Sequence, residues 1–489
     1  MVTMKKSRLK WRGTKRVLLL CLSMALVAWG STVSAQGSAD QIDLLKQQIK
    51  ELKDQQNARL LELEQKLTEL QTRNEQIQTA SEETRESMKA LEAVKGFEFH
   101  GYGRAGAGIN SEGGDQAAFM APGAGAKYRL GNEVDTWLEM DLVKNWTNPD
   151  NDGAFFKSCF KITYQDETHK NCGYDDTDHV KVSEAYVLAG NVLKACPEMK
   201  FWAGKRWYRR DWIHINDFFF LNSTGNGGGV EDIDLGFGKL AIAFMQGTDG
   251  GYQIEDVGRV SKNMFDIRLD FSAPVGDCMI WVAPSWVEGG NYVDANKVVQ
   301  QYPDAEGYAV GLVYSLNDIL GGSNKFSIQY GEGTGSDFTP NVQTPSAALD
   351  DTSQFLITDQ FTIQPCEKFS MQTALVYRIM DDGTDQNSQT DWFSFGLRPT
   401  WHFTKYVSAC VEAGMDYVDS EPNGYDGALY KITPCLQISA GKFFFARPAV
   451  RLFATYADWA DEFKGQVGGE AFRTETNGYT YGVQMEVWW

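Results

Sequence analysis

The chain has 489 residues, a length that fits two or three ordinary domains or one large barrel with an appendage. A formal net charge of −19 argues against nucleic acid as a partner, because like charges repel and no basic stripe offsets them. Hydrophobic residues make up 43% of the chain, yet the only long apolar run lies near its start, which excludes a protein built from several membrane-spanning helices.

The first 35 residues have the pattern of a secretory signal peptide. Seven Lys and Arg residues precede an apolar run at residues 17–29, and the small residues 33–35 follow it. The run is shorter than the roughly 20 residues that a membrane span needs, so we expect cleavage after Ala35, with a retained anchor as the alternative. An exported chain without a further apolar helix is either periplasmic or an outer-membrane barrel.

Residues 36–96 are predicted to form a periplasmic coiled coil and a linker. The stretch 39–93 holds neither Gly nor Pro, and its apolar residues recur in alternating steps of three and four. They are Ile42, Leu45, Ile49, Leu52, Leu60, Leu63, Leu67, Leu70 and Ile77. The frame slips between Leu52 and Leu60, which unwinds a supercoil locally without ending the helix. A single amphipathic helix on a surface is the alternative, and the oligomer number is left open.

From residue 97 to 489 the hydrophobic period changes to two. At its start, Phe97 and Phe99 alternate with His100, Tyr102 and Arg104. The polar positions are rich in Arg, Glu and Gln, which a water-filled lumen permits, and the length accommodates roughly 16 to 18 strands of about 10 residues. These features predict an all-β fold, an antiparallel transmembrane β-barrel around an aqueous channel, with a periplasmic β-rich enzyme as the alternative.

Seven cysteines follow residue 35, and they form no Cys-x-x-Cys pair that would indicate a metal or redox site. Cys159 and Cys172 bracket a polar, turn-rich segment and are the expected disulfide in an oxidising compartment, although an odd number leaves at least one thiol unpaired. The five histidines lack metal-ligand spacing, and no nucleophile-elbow motif is present. We therefore expect no cofactor, no metal and no enzymatic activity.

Aromatic and charged side chains share the inward positions of the predicted barrel. They are Tyr102, Trp137 and Trp488, with Arg104, Glu139 and Glu486. Aromatic faces stack on a pyranose ring and charged groups bind its hydroxyls, so a channel lined this way can pass a sugar along weak, equivalent contacts. The alternative is an aromatic girdle that faces lipid, which we expect for Trp489.

Several stretches of the predicted barrel resemble the maltoporin family. They are residues 99–102, 127–133, 202–206, 233–240, 447–456 and 484–489. The resemblance implies an 18-stranded antiparallel barrel, a homotrimer in the outer membrane of a Gram-negative cell, and facilitated diffusion of maltodextrins. A coiled coil ahead of the barrel is similar to the sucrose-porin branch, which implies a trimeric coil.

The same resemblance assigns the site residues. The aromatic slide along which sugars move falls on Tyr102, Trp137, Phe445 and Trp488. The ionic polar track and the constriction fall on Arg104, Arg129, Glu139, Arg210, His214, Asp217 and Phe219. A further slide aromatic, donated by a neighbouring subunit, would lie near Tyr174.

Four positions depart from the family pattern. Ser323 replaces one slide aromatic, and Phe219 replaces the constriction tyrosine. Ser183 and Trp212 stand where an arginine and an aspartate are expected. Because the changes at Phe219, Ser183 and Trp212 remove polar groups that the family carries, the resemblance leaves the preferred sugar open.

The leading hypothesis is a trimeric, sugar-selective porin in outer-membrane lipid that passes maltodextrins or related oligosaccharides. The alternative is a general diffusion porin whose coiled coil tethers the envelope to peptidoglycan or to a periplasmic protein. The first predicts sugar-specific block of the channel, and the second predicts permeation that depends on solute size alone.

Overall fold

The computed structural model describes residues 37–94, 96–146, 153–166, 178–254, 258–293, 297–384 and 386–489. The chain divides into two units, one up to residue 95 and one from residue 96 onward. The predicted signal peptide at residues 1–35, Cys172 and Tyr174 lie outside the described residues. Within the described ranges, no helix combines the length and the apolar content that crossing a bilayer requires.

The first unit contains one long helix, α1, at Gly37–Val94. It continues through the frame slip between Leu52 and Leu60 because no Gly or Pro interrupts residues 39–93. The apolar seam faces outward in the single chain, where Leu63 is 62% exposed. The predicted helix is confirmed, and its pairing into a coiled coil remains a prediction.

The second unit is a closed antiparallel β-barrel. Its strands are β1 Phe97–Asn110, β2 Thr136–Trp146, β3 Phe155–Asp166, β4 Asp178–Gly190, β5 Lys200–Ile213, β6 Phe218–Asp234, β7 Lys239–Ile254, β8 Gly258–Ser272, β9 Asp277–Val287, β10 Gly290–Val293, β11 Val299–Tyr302, β12 Ala305–Ile319, β13 Gly322–Gly333, β14 Ser353–Cys366, β15 Phe369–Asp381, β16 Gln389–His402, β17 Val407–Ser420, β18 Tyr425–Ser439, β19 Ala449–Trp459 and β20 Asn477–Trp488. Strand β20 pairs with β1 and closes the barrel. Because β9 pairs directly with β12, β10 and β11 form a short hairpin outside the wall. The wall therefore has 18 strands, and the predicted 18-stranded antiparallel barrel is confirmed.

Side chains of the wall alternate between an apolar outer face and a polar interior. Along β18, Ile432 and Leu436 are exposed, whereas Lys431 and Thr433 are buried. The final residue, Trp489, lies on the outer face, as predicted, and is 44% exposed. This distribution is the inverse of a soluble protein, and it fits a wall with lipid outside and a hydrated lumen inside.

Residues 111–135, which connect β1 to β2, fold into the barrel. Tyr128 in this segment is 1% exposed, and its hydroxyl lies 3.0 Å from Ser394 Oγ on β16. Its ring packs on the backbone of Gly396 and Gly414, where any Cβ would overlap it. These two strand positions therefore require glycine for the segment to enter.

Charged side chains of the wall hold this inward segment by its backbone. The Leu130 N–H donates to Glu412 Oε1 (2.9 Å), and Lys431 Nζ donates to the Leu130 carbonyl (2.7 Å). Glu412 also accepts from Lys431 Nζ (2.9 Å) and from Arg398 Nε (2.8 Å). All three charged groups are buried, so the carboxylate and its two cationic partners satisfy one another.

The tip of the β5–β6 hairpin also points into the interior. The Arg129 N–H donates to the Ile215 carbonyl (3.0 Å), which joins the tip to the inward segment. On the far side, Gln360 of β14 donates from Nε2 to the Trp212 carbonyl (3.0 Å). The tip is thus held from two directions inside the barrel.

The cysteines do not test the predicted disulfide. Cys159 is a buried thiol on β3, and its expected partner Cys172 lies outside the described residues. Cys410 on β17 and Cys435 on β18 are also free and buried, and they stand opposite one another in register. The Cys159–Cys172 pair stays a prediction.

Candidate functional site

A cavity of about 830 Å³ lies inside the barrel. Its walls come from strands β1–β6, β13–β15 and β20, from the inward segment 111–135, from the β5–β6 tip and from residues 440–448. All of the slide, track and constriction residues predicted from the sequence line it, except Tyr174, which lies outside the described residues. They are Tyr102, Arg104, Arg129, Trp137, Glu139, Arg210, His214, Asp217, Phe219, Phe445 and Trp488. The fold therefore brings the described members of the predicted set around one volume.

Three of the four predicted slide aromatics lie close together. Tyr102 and Trp488 stand opposite one another on β1 and β20, with ring centroids 6.5 Å apart and planes 19° from parallel. His214 lies between this pair and Phe445, 6.2 Å from Trp488 and 5.3 Å from Phe445 by ring centroids. Phe445 is 41% exposed, so its ring is open to a ligand.

Trp137 lines the cavity from strand β2. It stands opposite Arg104 in the β1–β2 register, and the Arg104 guanidinium carbon lies 5.9 Å from its ring centroid. Its indole Nε1 donates to Glu139 Oε1 at 2.8 Å. These contacts fix the orientation of the indole at the wall.

A network of ion pairs surrounds Arg104. The guanidinium lies 2.8 Å from Glu133, 2.8 Å from Asp135 and 3.3 Å from Asp217. Two of the three carboxylates belong to the inward segment, and Asp217 belongs to the β5–β6 tip. Arg104 therefore ties both inward elements to β1 in addition to lining the cavity.

Glu486 is the centre of a second network. It is 1% exposed and lies 3.1 Å from Arg129, 2.9 Å from Arg451 and 2.7 Å from Arg447 Nε. Arg129 donates to the Tyr102 hydroxyl (2.6 Å), which in turn donates to Glu486 Oε1 (3.2 Å). The Tyr102 ring is thus held by hydrogen bonds as well as by stacking.

His214 lies in the turn between β5 and β6, between two arginines. Its Nδ1 is 3.4 Å from Arg129 Nη1, and its Nε2 is 3.3 Å from Arg447 Nη2. Burial, reinforced by the positive charge of Arg129, holds the pKa of the imidazole well below its usual value. The ring is therefore neutral, and it can accept a hydrogen bond at one of its two nitrogens.

Lys161 on β3 lies among three carboxylates of its two neighbouring strands, β2 and β4. Its Nζ lies 3.2 Å from Glu139, 3.4 Å from Asp141 and 3.5 Å from Glu184. It also lies 4.0 Å from the centroid of the Trp207 ring. Asp141, Lys161 and Glu184 are adjacent in the strand register, so the cluster follows from the pairing of β2, β3 and β4.

One part of this cluster has spacing suited to a metal ion. Asp141, Cys159 and Glu184 each place a ligand atom within 4.8 Å of the others. Because the Lys161 ammonium lies within 3.5 Å of both carboxylates, an ion pair already supplies the positive charge that a metal would bring.

Aromatic side chains surround Arg210 at the cavity wall. Its guanidinium carbon lies 3.9 Å from the Trp207 ring centroid and 4.2 Å from that of Phe219. Trp212 is 45% exposed and stacks near Phe219, with centroids 6.1 Å apart and planes 29° from parallel. The two departures Trp212 and Phe219 therefore form an apolar platform beside a cation.

The other two departures differ in their positions. Ser323 lines the cavity, so a small hydroxyl stands where the resemblance predicts an aromatic ring. Ser183 is buried, and its hydroxyl lies 2.6 Å from that of Thr163. The position where the resemblance predicts an arginine therefore carries an uncharged side chain.

Sequence reasoning missed several residues that line the cavity. They are Lys161, Glu184, Trp207, Asp211, Lys325, Gln360, Thr362 and Gln372. The alternation of inward and outward positions along β3 and β4 could have identified Lys161 and Glu184. No local signal pairs Lys325 with Asp211, 2.7 Å apart, because that contact depends on how the β5–β6 tip enters the barrel.

Comparison with known proteins gives a family for the barrel unit. A family model described as LamB porin matches residues 97–489. Among solved structures, OccK2 (OpdF) of Pseudomonas aeruginosa aligns with a TM-score of 0.45 and 10% identity, over 80% of this chain and 97% of that chain. OccD3 (OpdP) of the same organism aligns with a TM-score of 0.42 and 9% identity, over 81% of this chain and 92% of that chain. Likenesses this distant carry no argument about substrate.

Proposed function

The chain belongs to the LamB porin family, an outer-membrane channel family, and we propose that it passes sugars by facilitated diffusion along an aromatic slide and an ionic track. The proposed substrates are maltodextrins or related oligosaccharides. The observation that carries the proposal is the cavity of about 830 Å³, which aromatic rings and an ion network share.

The arrangement of the aromatic residues supports weak, repeated contacts with a sugar. Tyr102, Trp488 and Phe445 present rings to the cavity, and the apolar face of a pyranose stacks on such rings. Each ring is held by its neighbours, so binding a sugar costs little ordering of the protein. A ligand held by several similar contacts can leave each one for the next.

The arrangement of the charged residues complements the rings. Arg104 and Arg129 are fixed by carboxylates, and their remaining N–H groups, together with the carboxylate oxygens, offer hydrogen-bond partners for sugar hydroxyls. Because the charges are mutually compensated, they bind a neutral ligand without imposing a large net field.

Block of single-channel current in planar bilayers tests this proposal. We expect maltotriose or sucrose to block the channel, and Trp137→Ala to weaken the block by roughly three- to tenfold, the value of one lost aromatic contact. Trp401→Ala is the matched control, because Trp401 lies on the outer face of β16 and is 45% exposed. If no oligosaccharide blocks the wild-type channel, a general diffusion porin replaces the proposal.

We further propose that the protein is a homotrimer whose helix α1 self-associates as a periplasmic coiled coil. The exposed apolar seam of α1 supports self-association, because leucines 56 to 64% exposed would be buried by a partner helix. Peptidoglycan or a periplasmic protein is the proposed partner of the coil. Cross-linking of the full chain in detergent tests the trimer, and a monomer after cross-linking would contradict it.

A further inference from the structure

Among the described residues that line the cavity, five Lys and Arg side chains occur, and four of them form direct ion pairs. Arg104, Arg129, Lys161 and Lys325 each have at least one carboxylate oxygen within 4.0 Å. Arg210 is the exception within the described part of the chain, where it forms neither an ion pair nor a hydrogen bond.

The carboxylates that line the cavity are already engaged elsewhere. Glu139 and Glu184 lie against Lys161, Asp211 lies 2.7 Å from Lys325, and Asp217 lies 3.3 Å from Arg104. Among the described residues, no carboxylate therefore contacts Arg210 directly, and Glu139, Asp217 and Glu184 act on it only through longer-range electrostatics.

The rings around Arg210 leave its donors open. Trp207 and Phe219 lie 3.9 Å and 4.2 Å from the guanidinium carbon by ring centroid. Aromatic rings interact with the faces of a guanidinium, whereas its N–H groups point outward in its plane. The rings position the cation and shield it from water, while the N–H edge stays available to a ligand.

We propose that Arg210 selects saccharides that bear an anionic group, a carboxylate, a phosphate or a sulfate. This inference rests on the proposed sugar channel and narrows its substrate class. A planar guanidinium binds such oxyanions through two parallel charge-assisted hydrogen bonds, and poor hydration of the site strengthens them. Trp212, 45% exposed and stacked near Phe219, supplies an adjacent surface for the sugar ring.

The test compares neutral and anionic saccharides as blockers of the full-length channel in planar bilayers. The neutral probes are maltotriose and sucrose. The anionic probes are trigalacturonate, glucose 6-phosphate and a sulfated disaccharide. Inorganic phosphate is the probe that carries the anionic group without a sugar. One anionic saccharide should block at a concentration at least about tenfold below the neutral probes, as a charge-assisted hydrogen bond predicts. Comparing the three anionic probes identifies which oxyanion is recognised.

Variants on β5 separate the role of Arg210 from general charge effects. Arg210→Gln should bring anionic block to the level of neutral block, and Arg210→Lys should restore part of the difference. Lys205→Gln removes the same charge from the same strand at a residue that does not line the cavity, and it should change nothing. A shift in gel migration between heated and unheated samples in detergent verifies that each variant is folded.

The outcomes separate this inference from the proposed function. Equal block by neutral and anionic sugars, or an unchanged preference in Arg210→Gln, overturns the inference and leaves the sugar channel standing. Block by inorganic phosphate as strong as by the anionic sugars also overturns it, since the site would then recognise an ion and no saccharide. If no saccharide of either kind blocks the wild-type channel, the sugar channel itself fails.

Discussion

At the scale of single residues, Tyr128 restricts what two strands of the wall can carry. Its ring occupies the space that a Cβ at Gly414 would need. Gly414→Ala should therefore destabilise the barrel by about 1–3 kcal/mol, as overpacking of a buried contact usually does. Urea unfolding of the refolded protein in detergent measures the free energy of unfolding.

A second glycine provides the control for that substitution. A Cβ at Gly103 would lie 3.3 Å from Val487 Cγ1, a contact that a small side-chain movement relieves. Gly103→Ala should leave the free energy of unfolding within about 0.5 kcal/mol of wild type. Equal destabilisation by both substitutions would show that Tyr128 does not impose the glycine at 414.

His214 links stability to pH. Its pKa is held well below the usual value in the folded protein, so below about pH 6.5 the unfolded chain binds a proton that the folded chain does not. The contribution of His214 to the free energy of unfolding is therefore fully present above that pH. It is lost as the pH falls, by up to about 1.4 kcal/mol per pH unit. His214→Gln should lack this component, so urea unfolding at pH 7.5, 6.5 and 5.5 should show the wild type losing stability faster than the variant. Parallel pH profiles would exclude a buried neutral imidazole.

At the scale of elements, the inward segment 111–135 depends on one carboxylate of the wall. Glu412 accepts from the Leu130 N–H and pairs with Arg398 and Lys431, all buried. Glu412→Gln leaves two buried cations without their counter-charge, which typically costs about 3–5 kcal/mol. We expect that loss in urea unfolding, together with noisier single-channel current as the segment loosens.

An exposed ion pair tests whether loss of charge alone explains that result. Glu367 pairs with Lys442 at 2.9 Å, and its side chain is 84% exposed. Glu367→Gln should change the free energy of unfolding by less than about 1 kcal/mol, because solvent screens such pairs. Similar losses in the two variants would remove the special role of Glu412.

The elements also show how far sequence reasoning reaches. Alternation of apolar and polar residues is a local property, so it predicted the barrel and the inward parity of Tyr102 and Glu139. The position of Tyr128 against β16 and β17 is a long-range contact between a loop and a distant wall. No periodicity records such a contact, and sequence analysis did not predict that residues 111–135 enter the barrel.

At the scale of the whole molecule, resemblance and physical patterning supplied different parts of the site. The alternation of apolar and polar residues along the strands was enough to place Tyr102, Trp137 and Trp488 on the inner face of the barrel. Phe445 and His214 lie in turns, where alternation gives no signal, and only the family resemblance assigned them. The resemblance assigned Arg210 as one track residue among several, and only the packed barrel shows that no described carboxylate contacts it.

The two units of the chain allow transport and tethering to be separated. The described residues that line the cavity all lie between positions 102 and 488, whereas the apolar seam lies before residue 95. Deleting residues 39–93 should therefore leave single-channel conductance and sugar block unchanged, while co-sedimentation with purified peptidoglycan is lost. The undeleted protein carrying Leu63→Asp and Leu67→Asp is the matched control for the seam, since it keeps the length of the helix but not its apolar face. Loss of sugar block on deletion would mean that the helix contributes to the channel, and retained co-sedimentation would mean that the barrel itself binds the cell wall.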